Sequence, residues 1–175
     1  MTTGPKSTVI ADTSVLINFL HIERLDLLED LPGYTFHVSE HVVSEVTDKA
    51  QASQLASSLD AGRLRVITMT DTAEMARYGA FLKLMGKGES ASLAIAESRG
   101  WFLACDEKRR FLRQASASIG IDRVLNTVSL LVIAILKRRL TIKDADEIKA
   151  LLKQRHFEIK TRSFQDLLPC PGRKL

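Results

Sequence analysis

Residues 9–21 read VIADTSVLINFLH, and Asp12 is the only ionisable side chain in the first twelve of these positions, at the join of two apolar runs. The apolar stretch TVIA (8–11) is followed by the small polar trio Asp12, Thr13 and Ser14, and then by apolar residues at helical spacing. That pattern reads as a strand, a turn and a helix. Similar short β-type runs recur at TFHVS (35–39), RVITM (65–69), WFLAC (101–105) and RVLN (123–126). Between them the apolar spacing is helical, as in Met75, Tyr78, Phe81, Leu82 and Met85, or Val128, Leu131, Val132 and Ile135. The stretches LPGY, DAGR and SRGW carry turn residues that break the chain before the second, third and fourth strands. Alternating strand and helix predicts an α/β fold, a three-layer α/β/α sandwich around a mainly parallel sheet in the doubly wound order 3-2-1-4-5.

The chain of 175 residues, 45% hydrophobic and 26% charged, fits a single domain over residues 1–175, with its core at about 8–160. Past residue 140, TIKDADEIKALLKQR predicts an amphipathic helix opened by Thr141 or Asp144. FEIKTRSFQDLL (157–168) predicts a strand-like or short helical end, and residues 169–175 a frayed tail. The start, MTTGPKSTVIADTS, lacks the pattern of a signal peptide, and the longest apolar run, LLVIAIL (130–136), is too short to span a bilayer. The expectation is a soluble, cytoplasmic protein without a membrane partner. Cys105 and Cys170 form no CxxC or Cys/His spacing, which argues against zinc and a disulfide framework, and Cys105 reads as a small buried apolar residue.

Charge is unevenly spread. Residues 1–88 hold 8 Lys/Arg and 11 Asp/Glu, whereas 89–175 hold 17 and 10, so the halves carry −3 and +7. Basic clusters stand at 108–110 with Arg113 beyond, at 137–139 and at 172–174. Taken one at a time they are ordinary solvated surface, but together they suggest a polyanionic partner.

Asp12 falls at the carboxyl end of the first strand, where open α/β sheets place their ligands, and Asp106 ends the fourth. In the order 3-2-1-4-5 these strands are neighbours, which brings the two acids within about one strand spacing, roughly 5 Å. Glu45, one residue from Val46 and three from Val42, borders a buried helical stripe. Glu89, in GKGESASLAIAESRG (86–100), begins a small-residue helix that leads into the fourth strand. Like charges near 4 Å repel by about 4 kcal/mol at an effective dielectric of 20, so acids converging there call for a cation. Oxygen ligands without His or Cys point to Mg2+ or Mn2+, and the basic half points to phosphate chemistry. Each acid also has a structural reading: helix caps for Asp12 and Asp106, the helix dipole for Glu89, a half-exposed helix position for Glu45. Their joint placement at one crest favours a site.

Four segments in this order, VIADTSVLINFL, HVVSEV, GKGESASLAIA and FLACDEKRR, resemble a PIN-domain nuclease of VapC-like type, as does IGIDRVLNTVSLLVIAILKRRLTI after them. The resemblance covers about residues 8–160. It implies metal-dependent ribonuclease activity leaving a 3′ hydroxyl and a 5′ phosphate, with Asp12, Glu45, Glu89 and Asp106 as the catalytic set. Asp12 and Asp106 would be the principal metal ligands and Glu89 would complete the cluster, while Glu45 would coordinate or hold a water at the metal. It also implies a homodimer and, for a toxin, a cognate antitoxin. The chain departs from the family where a further acid or Asn often follows the fourth acid: EKRRF stands there, with Arg109 and Arg110. Glu107 is adjacent but turned away by a helix. Asn126 is a candidate neutral ligand, or an N-cap for a helix from Thr127. Arg109, Arg110 and Arg113 suit RNA phosphates.

Other chemistries fit poorly. MGKGES (85–90) does not meet GxxxxGK[ST], no GxGxxG follows the first strand, and Ser14 stands where a DxD phosphoryl-aspartate pair needs its second acid. The alternative of another class is a catalytically weak PIN-like module that binds RNA or protein. The apolar stretches at 15–31 and 72–85 each read as core, homodimer seam or antitoxin groove.

Overall fold

Side chains of successive strand residues point to opposite faces of a sheet, and here both faces are apolar. In the computed structural model, which describes residues 6–106 and 109–169, the strands are β1 (Ser7–Ala11), β2 (Tyr34–Ser39), β3 (Arg65–Ile67), β4 (Phe102–Ala104) and β5 (Val124–Leu125). Every pairing is parallel and the order is β3-β2-β1-β4-β5. Ala11 lies opposite both Val38 and Ala104, so β1 ends level with β4 and one residue short of β2. Asp12 follows at once, its amide donating to the Ala104 carbonyl at 2.8 Å.

Nine α-helices flank the sheet among the described residues: α1 (Thr13–His21), α2 (Asp26–Glu29), α3 (Glu40–Glu45), α4 (Lys49–Asp60), α5 (Thr72–Phe81), α6 (Lys87–Arg99), α7 (Arg109–Ile119), α8 (Thr127–Leu136) and α9 (Ile142–Gln154). On one face Val9, Ala11, Phe36, Val38 and Ala104 pack with residues of α1, α4, α8 and α9, including Phe19, Leu55, Leu131 and Ile148. On the other, Ile10 and Leu103 pack against Leu93 and Ile95 of α6 and Phe111 and Ala115 of α7. Burial on both faces is what an all-parallel sheet requires. Ser90, Ala91, Ser92, Ala94 and Ala96 of α6 are all buried, and such short side chains let a helix lie close to its neighbours.

β3 and β5 are shorter than their apolar runs, and a 3-10 turn (Ile121–Arg123) takes up the start of the last run. The helix expected after residue 140 opens with both expected residues in reciprocal roles. Thr141 Oγ1 accepts from the Asp144 amide at 3.1 Å, and Asp144 Oδ2 accepts from the Thr141 amide at 3.2 Å. The segment after α9 ends in a 3-10 turn (Phe164–Leu167), not a strand, because Asp146 accepts from Ser163 Oγ at 2.6 Å and from the Phe164 amide at 2.9 Å. Phe164 is fully buried, so the packed chain reaches past residue 160.

The stretch 15–31 is core, burying Val15, Leu16, Phe19, Leu20, Leu27, Leu28 and Leu31. The stretch 72–85 buries Phe81 but exposes Met75, Leu82 and Leu84. Cys105 is buried, whereas Cys170 and the tail from 170 to 175 lie outside the described residues. Among the described residues no helix is long and apolar enough to cross a membrane.

Candidate active site

Asp12, the first of the candidate site residues, is the N-cap of α1. Its Oδ2 accepts from the Ser14 amide at 3.4 Å and from Ser14 Oγ at 2.9 Å, and its side chain is buried at the head of α1. The same Ser14 hydroxyl accepts from the Asp106 amide at 3.0 Å. One hydroxyl thus ties the ends of β1 and β4 together and sets the spacing of the two aspartates.

The Asp106 carboxylate sits in a polar cradle. Oδ2 accepts from Asn18 Nδ2 at 2.9 Å and from the Thr127 hydroxyl, and Oδ1 accepts from the Thr127 amide at 2.9 Å. Asn18 also donates to Thr127 Oγ1 at 3.2 Å, which fixes the cradle itself. Burial pushes the Asp106 carboxyl above its ordinary value, against the opposing pull of the Thr127 and Asn18 hydrogen bonds.

Glu45, the last residue of α3, reaches across to the start of α6. Its Oε1 accepts from the Gly88 amide at 3.1 Å and its Oε2 from the Thr13 hydroxyl. A Cβ on Gly88 would lie 2.5 Å from Glu45 Oε2, so only glycine permits this approach. Glu89, one residue on, accepts from the Gly86 amide at 2.9 Å and caps α6.

An open cleft of about 450 Å³ joins these parts, lined by Asp12, Ser14, Ile17, Glu45, Gly88 and Glu89. Three of the four expected acids therefore share its wall, and Asp106 is joined to that wall through the Ser14 hydroxyl. Among the described residues no three His, Cys, Asp or Glu side chains are grouped closely enough to hold one metal ion. The donor chemistry still fits a hard divalent cation, since Mg2+ keeps several waters and takes one or two carboxylates. Asp12 and Asp106, held by hydrogen bonds at adjacent strand ends, supply such a pair.

Asn126 acts as the N-cap of α8: its Oδ1 accepts from the Ser129 amide at 2.8 Å. Arg109, Arg110 and Arg113 are exposed on α7, whose opposite face buries Phe111, Ala115 and Ile119. The first turn of α7 holds no acid, and arginines at a helix N-terminus oppose the helix dipole, so local helix stability does not explain them. Glu107 lies outside the described residues.

Sequence reasoning did not find Thr13, Ser14, Asn18, Gly88 or Thr127 as functional residues. Asn18 carried a signal, being polar within the apolar stripe of VLINFL yet 6% exposed in the fold. Thr127 is likewise buried, and its partner Asp106 is distant in sequence.

A parallel sheet in this order, with acids at the crest of its first and fourth strands, agrees with a family model described as PIN domain that matches residues 8–170. The chain belongs to the PIN domain family. The protein PAE2754 from Pyrobaculum aerophilum superposes with a TM-score of 0.50 at 14% identity, covering 77% of this chain and 99% of that one. A PilT N-terminus domain protein, SSO1118, from Sulfolobus solfataricus P2 gives 0.44 at 16% identity over 71% and 90% of the two chains. VapBC2 from Rickettsia felis, solved bound to a DNA fragment from its promoter, gives 0.45 at 18% identity over 68% and 96%. No curated protein shows a significant sequence match.

Proposed function

We propose that this PIN domain is an endoribonuclease that hydrolyses RNA phosphodiester bonds with Mg2+ or Mn2+. The observation that supports this most directly is the tie between Asp12 and Asp106 through Ser14 at the switch point of the sheet. In this reading Asp12 and Asp106 hold the ion directly, and Glu89 and Glu45, on the wall of the cleft beside Asp12, reach it through its waters. A bound divalent cation supplies Lewis acidity and neutralises charge that builds on phosphate oxygens.

The chain's own residues do the positioning. Ser14, Asn18 and Thr127 keep the aspartates from swinging away as substrate enters. Gly88 and Thr13 hold the Glu45 carboxylate at the cleft, where it accepts hydrogen bonds from water beside the scissile phosphate. Arg109, Arg110 and Arg113 bind flanking RNA phosphates through charge-assisted hydrogen bonds. Asn126, whose Oδ1 caps α8, keeps the second lone pair of that oxygen and its side-chain N–H groups for supporting the centre. The partners in this account are RNA, a second copy of the chain and a cognate antitoxin of the VapC type. The test is cleavage of single-stranded RNA by purified protein in Mg2+ or Mn2+ against EDTA. Metal-dependent cutting supports the assignment, and metal-dependent binding without cutting would replace it with a binding module.

A further inference from the structure

Glu45 and Ile17 belong to two clefts. Besides lining the acidic cleft, they line a second one of about 410 Å³ between α1, α4 and the end of α9, which also takes in His21, Gln51, Gln54 and Arg155. The two clefts are therefore neighbours, with Ile17 and Glu45 as a common wall. What distinguishes the second is unused hydrogen-bonding capacity. Five arginines elsewhere, Arg24, Arg63, Arg77, Arg99 and Arg139, are paired with carboxylates. Arg155, like the exposed Arg109, Arg110 and Arg113 of α7, makes no ion pair among the described residues, but it alone of these lines a cleft, which it shares with Glu23, Glu45 and Asp48. Two of these acids are already committed, Glu45 to Gly88 and Thr13, and Asp48 to the Ala50 and Gln51 amides at the head of α4.

Gln51 and Gln54 sit three residues apart on α4, so their half-buried side chains share one helix face. Neither side-chain amide is engaged by another group among the described residues. His21 Nδ1 is buried there without a hydrogen-bond partner. Two amides that both donate and accept, beside a planar cation, form the set that reads the edge of an unstacked nucleobase and holds its phosphate.

We propose that this cleft is a nucleotide subsite next to the cutting centre, in which Gln51 and Gln54 read a base and Arg155 holds the adjoining phosphate. It rests on the reading of RNA as the substrate and adds the residues that determine sequence preference. Gln51 and Gln54 are half-buried helix positions, where alanine is the best helix former, and Arg155 is exposed just past the end of α9, so their alanine variants keep the fold.

The test is selection of bound sequences from a random single-stranded RNA pool, using the Asp12→Asn chain as parent so that the pool stays intact. The parent is expected to enrich one base at one position by about fivefold or more, the discrimination of a good amide–base pair. Gln51→Ala with Gln54→Ala flattens that preference. Arg155→Ala keeps the preference but weakens binding and lowers the salt slope by about 0.7, the value for one single-strand phosphate. An unchanged profile and slope in these variants overturns the subsite, as does a parent that retains no RNA or no preferred base, the result expected if the cleft takes a peptide carboxylate instead. Absence of metal-dependent cutting by the chain with Asp12 intact, alongside a profile that depends on Gln51 and Gln54, overturns the nuclease reading and leaves the subsite standing.

Discussion

Gly88 and Glu45 meet at a distance that a Cβ would forbid: the Gly88 amide donates to Glu45 Oε1 at 3.1 Å, and a Cβ there would stand 2.5 Å from Oε2, so the carboxylate would have to move. The contact joins the end of α3 to the first turn of α6 and fixes where a long, exposed glutamate points.

Gly88→Ala therefore separates site geometry from stability. Alanine within a helix stabilises it by roughly 0.5–1 kcal/mol relative to glycine, which offsets the strain of moving Glu45. We expect a melting temperature at or above that of the parent, with RNA cleavage reduced by about a hundredfold, the effect of an ångström-scale displacement at a reacting centre. Thermal melts and single-turnover cleavage on the same preparation check this.

Ser14→Ala removes the hydroxyl that spans Asp12 and the Asp106 amide. Leaving a part-buried donor unsatisfied is expected to lower stability by about 1–2 kcal/mol. Without this positioning hydroxyl, cleavage is expected to fall by about tenfold or more. Denaturant unfolding and cleavage rates measure the two effects separately, and raised Mn2+ concentration should restore part of the rate.

Arg109, Arg110 and Arg113 are exposed on α7 and make no ion pair among the described residues. Replacing all three with alanine is expected to weaken RNA binding and lower the salt slope by about 0.7 for each phosphate that is no longer neutralised, with little change in stability. Affinity measured over a salt series tests it, and an unchanged slope would place the RNA elsewhere.

His37 gives the fold a pH dependence away from the acids. It is buried in β2, stacked on Trp101 with ring centroids 4.9 Å apart, and Arg99 stands 5.1 Å above the Trp101 ring. Burial first, and then the charges of Arg65 and Arg99, hold its imidazole below the ordinary value of 6.5. The unfolded chain thus takes up a proton that the folded chain refuses, so stability is full above 6.5 and falls as pH drops from there through the folded value. His37→Phe keeps a stacking ring and removes the proton site. Its melting temperature is expected to depend less on pH between about 5 and 7.5 than that of the parent, in the range where histidine titrates.

Legibility in the sequence followed the range of the forces involved. The five strands were readable because short apolar runs, turn residues and helical spacing are local signals, and the parallel alternation then restricts the order to a few choices. Asp12 could be placed at the crest because it ends a strand at a helix cap. Asp106 could be placed because β4 lies beside β1. What could not be read were contacts between segments distant in the chain: Asn18 meets Asp106 88 residues away and Thr127 109 away, and Gly88 meets Glu45 43 away. Equally unreadable were the partners that fix the acids at the crest: Gly86 for Glu89, Gly88 for Glu45, and the Ser14 hydroxyl for Asp12 and the Asp106 amide.

The central claim is that Asp12 belongs to a hydrolytic centre, and the most direct measurement is cleavage of end-labelled, mixed-sequence RNA by the parent and Asp12→Asn chains in Mg2+, Mn2+ or EDTA. Asparagine is as good a helix cap as aspartate, so the substitution removes a charge and leaves the head of α1 intact. The account predicts cutting by the parent in metal alone and none by Asp12→Asn at an unchanged melting temperature. Cutting by Asp12→Asn at the parent rate would contradict it.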